Sequence, residues 1–227
     1  MPKYHRFPVQ FLVLISLLAH TSLLGAEIQQ SWYFDQLEGG TLPEGWERAE
    51  TKGGHNPATW EIVEKGKDAP SPKNVVAITY NTNDAKTSNL LLAKQQALQS
   101  VELSLQIHAG EGLGQAGGGL IWRVVDENHY YLAYWNAREN HIRLSLVIGG
   151  KASLIESVSV KADIEEWHLL EVIHTEESLQ ILFDSESLIE AEEKKLDLPG
   201  WVGLWAPGDA MPLFDNLLLY SEEEGEE

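Results

Sequence analysis

Segment after segment of this chain alternates apolar and polar residues over five to nine positions, with Gly, Asn, Asp or Pro between the segments, and helical periodicity is hard to find. A period of two turns one face of each segment toward a core and the other toward solvent, which commits the chain to β-structure. The pattern predicts strands over 31–35, 59–63, 74–79, 88–92, 100–109, 118–125, 129–136, 141–148, 153–159, 167–174, 179–184, 200–205 and 213–220. Only 163–166 has a helical look, and it is too short to change the class. The stretch 38–57 carries Gly39, Gly40, Pro43, Gly45, Gly53, Gly54 and Pro57, and reads as a loop that wraps an edge or a binding cleft. With no Pro- or Ser-rich linker and no internal repeat, so many short strands predict one all-β sandwich over 27–220.

The flanks are of another kind. Lys3 and Arg6 precede the apolar run from Phe11 to Ala19, and Leu24-Gly25-Ala26 follows it. A basic start, an apolar run shorter than the ~20 residues that span a bilayer, and small residues at the end describe a signal peptide over 1–26. The alternative is an uncleaved anchor. Cleavage after Ala26 removes two cations, takes the formal charge from -19 to -21, leaves no transmembrane span, and sends the protein to the periplasm or outside the cell. Residues 221–227 hold five glutamates and read as a solvated acidic tail. Such a balance repels phosphate backbones, so nucleic acid is set aside as a partner. The chain has no cysteine, so stability must come from a hydrophobic core.

Strand parity sorts the aromatic residues of "GGGLIWRVVDENHYYLAYWNARENHIRL" (117–144). A four-residue loop over 137–140 would set Asn136 opposite His141, Trp135 opposite Ile142, Tyr134 opposite Arg143 and Tyr131 opposite Leu146. A turn at Asp126-Glu127 would add Trp122 beside Tyr131 and Arg123 beside Tyr130. Trp122, Tyr131 and Trp135 then face the core. Arg123, Tyr130, Tyr134, Asn136, His141 and Arg143 share the other face, where rings that stack on sugar C–H surfaces sit among hydrogen-bonding groups, as a glycan or oligosaccharide partner requires. The same residues also suit an ordinary sheet surface with cross-strand pairs. Trp201 and Trp205 share one parity and read as core rather than site, and Gly117-Gly118-Gly119 read as a turn or sheet edge.

"FDQLEGGTLPEGW" (34–46), "GGGLIWRVVDENHYYLAYWNAREN" (117–140), "EWHLLEVIH" (166–174) and "GWVGLWAPGDAMPLFDNLLLY" (200–220) together resemble secreted concanavalin A-like lectin/glucanase domains, nearest to the bacterial group related to 3-keto-disaccharide hydrolase domains. The resemblance covers almost the whole chain after residue 26. It implies a jelly-roll sandwich of two antiparallel sheets with the ligand on the concave sheet. It also implies that the first and last strands lie together, so that Asp35 and Asp215 approach and could hold a structural Ca2+; turn hydrogen bonds are the other use for these acids.

Glycoside hydrolysis needs two carboxylates at a set separation. Laminarinase-type members of the fold carry Glu-x-Asp-x-x-Glu on one strand, and no stretch here has it. Asp126, Glu127, Glu139 and Asp209 fall in predicted turns; Glu139, beside Asn136, His141 and Arg143, is the one candidate acid or base for a hydrolase. There is no Gly-x-Ser-x-Gly, His-Glu-x-x-His or P-loop motif, and His108, His168 and His174 fit strand positions better than a metal cluster. The leading expectation is a secreted, non-catalytic carbohydrate-binding domain. The others are a glycosidic-bond hydrolase of the 3-keto-disaccharide type and an envelope-associated protein-interaction domain.

Overall fold

The computed structural model describes residues 27–53, 57–66, 68–84, 86–112 and 115–221. The leader read over 1–26 and residues 222–227 of the acidic tail lie outside the described residues. Among these residues there are fifteen strands and no helix: β1 (Glu27–Trp32), β2 (Trp46–Thr51), β3 (Thr59–Gly66), β4 (Lys73–Tyr80), β5 (Ser88–Leu98), β6 (Val101–Gly112), β7 (Gly117–Asp126), β8 (His129–Asn136), β9 (His141–Ile148), β10 (Lys151–Ser159), β11 (Trp167–His174), β12 (Leu179–Phe183), β13 (Glu186–Ala191), β14 (Gly200–Pro207) and β15 (Ala210–Ser221). They form two antiparallel sheets in a jelly-roll sandwich. One runs β13-β12-β11-β6-β15-β4-β3, with β1 also on β15; the other runs β10-β9-β8-β7-β14-β5-β2.

Three strands keep the predicted limits, those over 129–136, 141–148 and 167–174. Two were not foreseen. β2 lies inside the stretch read as loop, and β13 completes a hairpin after Asp184 and Ser185, both at positive φ. "WERAET" does not alternate, its apolar residues Trp46 and Ala49 standing three apart, so it carries no period-two signal among the glycines and prolines around it. Residues 163–166 form a turn, with Glu166 N–H bonded to the Asp163 carbonyl at 3.2 Å.

The main core fills the space between the sheets and contains Trp60, Trp122, Tyr131, Trp135 and Phe214, as parity predicts for Trp122, Tyr131 and Trp135. Within it, Trp122 Nε1–H donates to His174 Nδ1 at 2.8 Å, and the Trp122 and Tyr131 rings stack with centroids 5.7 Å apart. Tyr131 spends its hydroxyl on the Leu196 amide at 3.2 Å. The first and last strands do lie together, with Trp32 opposite Leu217.

Candidate functional site

Residues of opposite parity to the core build the outer face of the seven-stranded sheet. Register places Arg143, Tyr134, Gly119, Trp205 and Leu90 side by side across β9, β8, β7, β14 and β5, and Ser145, Leu132, Ile121, Gly203 and Leu92 form the next row. Most of this face is not open. Leu90, Leu92, Ile121, Val124, Tyr130, Leu132, Val147 and Trp205 make a second buried apolar cluster.

Its closure comes from the sheet curling on itself. β2 is four places from β8, about 19 Å in a flat sheet and beyond the reach of one side chain. Yet Thr51 Oγ1 lies 2.7 Å from the Tyr130 hydroxyl and 2.7 Å from the Glu127 carbonyl. The face is therefore concave, and its two flanks meet. A threonine hydroxyl has one proton, which goes to the Glu127 carbonyl, so Tyr130 O–H must be the donor to Thr51. Burial raises the Tyr130 pKa against the opposing bond to Thr51, which keeps that donor protonated. Thr51→Val should cost about 1–3 kcal/mol, because it removes at once the acceptor of the Tyr130 hydroxyl across the seam and the donor to the Glu127 carbonyl. Urea unfolding checks this; a loss too small to measure would mean that the seam carries no load. A cavity of about 530 Å³ opens beside the seam, lined by Arg48, Glu50, Lys52, Glu127 and Asn128 among others.

The face is also open at the end of the β8–β9 hairpin. Arg143 Nη1–H donates to the Tyr134 hydroxyl at 3.3 Å and Nη2–H to Glu139. The Tyr134 bond first, and the Glu139 charge after it, raise the Arg143 pKa against partial burial. Asn136 Oδ1 accepts the Glu139 amide at 3.1 Å, fixing the turn that carries the acid. His141 Nδ1 sits 2.6 Å from the Glu139 carbonyl, an acceptor only, so Nδ1 holds the proton; Nε2 then accepts from Ser159 Oγ at 3.0 Å. Tyr134 is half-buried and its ring meets Trp205, centroids 4.7 Å apart, across Gly119. A planar aromatic, a guanidinium, a carboxylate and an amide thus converge on one short platform. Arg143 Nε is buried without a partner.

Tyr134, Asn136, Glu139, His141 and Arg143 are together as the register predicts. Arg123 is not with them. The β7–β8 ladder shifts between Trp122 and Asp126, and Arg123 takes φ 47° at that bulge. This turns its side chain away from Tyr130; it is 2% exposed, donates to the Gln99 carbonyl at 2.8 Å and the Leu196 carbonyl at 3.1 Å, and lies 3.7 Å from Asp197. Regular alternation fails wherever a bulge adds a residue. Tyr130 is on the expected face but fully buried, so it supports the seam rather than a ligand. Trp205 and Trp201, read as core, are on the concave face as well; Trp205 is 6% exposed and Trp201 sits under Lys94 Nζ at 4.7 Å. The three glycines open an interior strand, not an edge. Thr51, Gly119 and Ser159 had no local signal, since each acquires its role from a strand distant in sequence.

Asp35 and Asp215 hold the same neighbourhood through Asn74 and Ser71, and the Asp35 charge adds a little to the effect of burial on the Asp215 pKa. The larger cause is burial, which lifts it to about 6. Asp215 Oδ2 accepts Ser71 N–H, Oδ1 accepts Asn216 N–H, and Ser71 Oγ–H lies against both oxygens. Calcium takes six to eight oxygens. Two acids with one orphaned Asn216 Oδ1 are too few for that cage, and no group of three His, Cys, Asp or Glu suited to a metal occurs among the described residues. His108, His168 and His174 lie on β6 and β11, with His168 bonded to Asp184 and His174 to Trp122. Asp209 accepts the Gln115 amide at 3.1 Å.

No family model and no curated protein matches this chain. Solved structures do. A carbohydrate-binding module, CBM66 from Bacillus subtilis, is 20% identical over 78% of this chain and 96% of its own, with a TM-score of 0.61. A GH16 protein of the Bacteroides ovatus mixed-linkage glucan locus, in complex with a G4G4G3G product, is 9% identical over 85% of this chain and 100% of its own, with a TM-score of 0.61. The Pyrococcus furiosus endo-β-1,3-glucanase is 12% identical over 86% and 94%, with a TM-score of 0.56. At these identities the likeness is one of architecture. With its two antiparallel sheets and their jelly-roll layout, the chain has the concanavalin A-like lectin/glucanase fold.

Proposed function

We propose that this protein is an exported, non-catalytic carbohydrate-binding module that receives a glycan on the Tyr134 platform. The observation that carries the reading is the convergence of Tyr134, Arg143, Glu139, Asn136 and His141 at an open end of a face whose middle is filled by its own side chains. Tyr134 offers a ring for a sugar's C–H surface, Arg143 and Asn136 donate to hydroxyl oxygens, and Glu139 accepts from hydroxyl protons. Export rests on the leader composition of 1–26.

Support for a non-catalytic role lies in the floor. The row that follows the platform is Ser145, Leu132, Ile121, Gly203 and Leu92, with no carboxylate for a second acid or base. Glu139 is tied to Arg143 by an ion pair, an arrangement that suits an acceptor of sugar hydroxyl protons. The hydrolase reading keeps one specific observation, that Glu139 is the carboxylate of the platform. The two separate cleanly on Glu139→Gln, assayed for turnover of a 3-keto-disaccharide and for binding of intact glycans.

The deciding experiment is thermal unfolding of the protein across a glycan panel, since a ligand of the native state must raise the midpoint. For a glycan that does so, Tyr134→Ala should weaken binding about five- to thirtyfold, the equivalent of roughly 1–2 kcal/mol of stacking and hydrogen bonding. Calorimetric titration reads the change. Unaltered affinity in that variant would remove the platform from the binding site.

A further inference from the structure

We infer that the protein carries a second carbohydrate site, on the flank where β1 ends, shaped for a neutral oligosaccharide. The inference extends the carbohydrate-binding reading to a separate place, and none of its residues belongs to the Tyr134 platform. A cavity of about 340 Å³ lies there, walled by Trp32 and Tyr33, with Pro43, Glu44 and Gln95 around it. The chain spends three aromatic residues in a row on this corner. Phe34 enters the core through a positive φ of 64°, which leaves Tyr33 outside at 43% exposure and Trp32 half-buried at the wall. Trp32 is held from behind by Trp46, edge to face at 5.5 Å and 89°, so its position is set before any ligand arrives.

The polar groups are set too. Gln95 Nε2–H donates to the Glu44 carbonyl at 3.2 Å, and its Oε1 accepts from the Gln30 amide. Gly45, at φ 78°, gives the Gln95 stem its room, as a Cβ there would sit 3.3 Å from Gln95 Cγ. An oriented amide and a carboxylate beside two partly exposed rings are groups that meet sugar hydroxyls and C–H faces together. Charge selects within that class. The lining holds Asp35 and Glu44 and no lysine or arginine, so uronate or sulfated sugars would bring like charge to the acids. Two sites on different faces of one module would hold two chains, or two stretches of one chain, with the gain that linkage supplies.

The test uses the whole protein labelled with 5-fluorotryptophan, with the Trp32 and Trp205 signals assigned through Trp32→Phe and Trp205→Phe. Short neutral gluco-, manno- and fructo-oligosaccharides are titrated, with an oligogalacturonate as the anionic control. A neutral sugar should move the Trp32 signal in the unaltered protein and equally in Tyr134→Ala, while Tyr33→Ala or Gln95→Ala should weaken that response about tenfold. If Trp32 is silent with every sugar while Trp205 responds, the flank site falls and the platform stands; silence at both overturns both. A Trp32 response abolished by Tyr134→Ala but untouched by Tyr33→Ala and Gln95→Ala is transmitted from the platform, and also overturns the flank site. A stronger response to oligogalacturonate than to any neutral sugar overturns the assigned class.

Discussion

Gly119→Ala is expected to cost about 4 kcal/mol or more, or to leave no folded protein. A Cβ at this position would stand 2.0 Å from the Ala133 carbonyl oxygen, 2.6 Å from Tyr134 Cα and 2.7 Å from Tyr134 Cβ. These are backbone and stem atoms of the adjacent strand, which cannot rotate away, so β7 and β8 would have to part at the centre of the sheet. The Tyr134 and Trp205 rings meet across this residue, hence the platform would go with the ladder. Gly149→Ala is the control. Nothing lies within 4 Å of its Cβ, and only the left-handed φ of 55° opposes a side chain, a cost of roughly 1 kcal/mol. Urea midpoints of the two variants decide the matter; similar small losses would show that β7 and β8 are looser than the register implies.

The second large effect is a pair of opposed acid responses. Burial first, and the Arg123 charge next, depress the His174 pKa from 6.5 to about 4. Because the folded value lies below the unfolded one, neutral His174 contributes fully above pH 6.5, and the contribution is lost as pH falls toward 4. From the width of that interval it is roughly 3 kcal/mol. Asp215 has the reverse sign. Its folded pKa of about 6 lies above the ordinary 3.8, so its contribution is complete below 3.8 and is lost as pH rises through 6, again roughly 3 kcal/mol. The two nearly cancel, and the unaltered protein should show a flat stability profile from pH 6.5 to 4.

Substitution uncovers each half. Asp215→Asn removes the buried charge but its amide nitrogen cannot accept the Ser71 or Asn216 N–H, so the two effects oppose each other at pH 7, and the variant should lose stability steeply on acidification with only the His174 response left. His174→Leu leaves Trp122 Nε1–H without its acceptor, so it starts lower at pH 7 and should gain as the pH falls through 6. Denaturant unfolding of the parent and both variants at pH 7 and pH 4 resolves the two responses. If both variants keep the parent's flat profile, neither buried group titrates as its surroundings require.

How the face was read from sequence divides at one residue. Parity and a four-residue loop placed Tyr134 opposite Arg143 and Asn136 opposite His141, because a hairpin between neighbouring strands is a local object whose register follows from its loop. One strand earlier the same reasoning put Arg123 on the platform, and a bulge sent it into the interior. A bulge leaves no mark in the alternation when the residues around it, Trp122, Val124 and Val125, are apolar on either side.

By itself the sequence determined the β class, a single sandwich, the inward set Trp122, Tyr131 and Trp135, and the pairing that joins Glu139 to Arg143. All of these depend on side-chain period or on contacts within one hairpin. Only the tertiary structure decided that the concave face is mostly a second core and that Thr51 closes it on Tyr130. It also decided that Trp205 lies beneath Tyr134 and that Gly119 leaves them room. Those contacts join strands far apart in the chain through the order β8-β7-β14-β5-β2 and the curl of the sheet, and neither the order nor the curl is written in any local spacing.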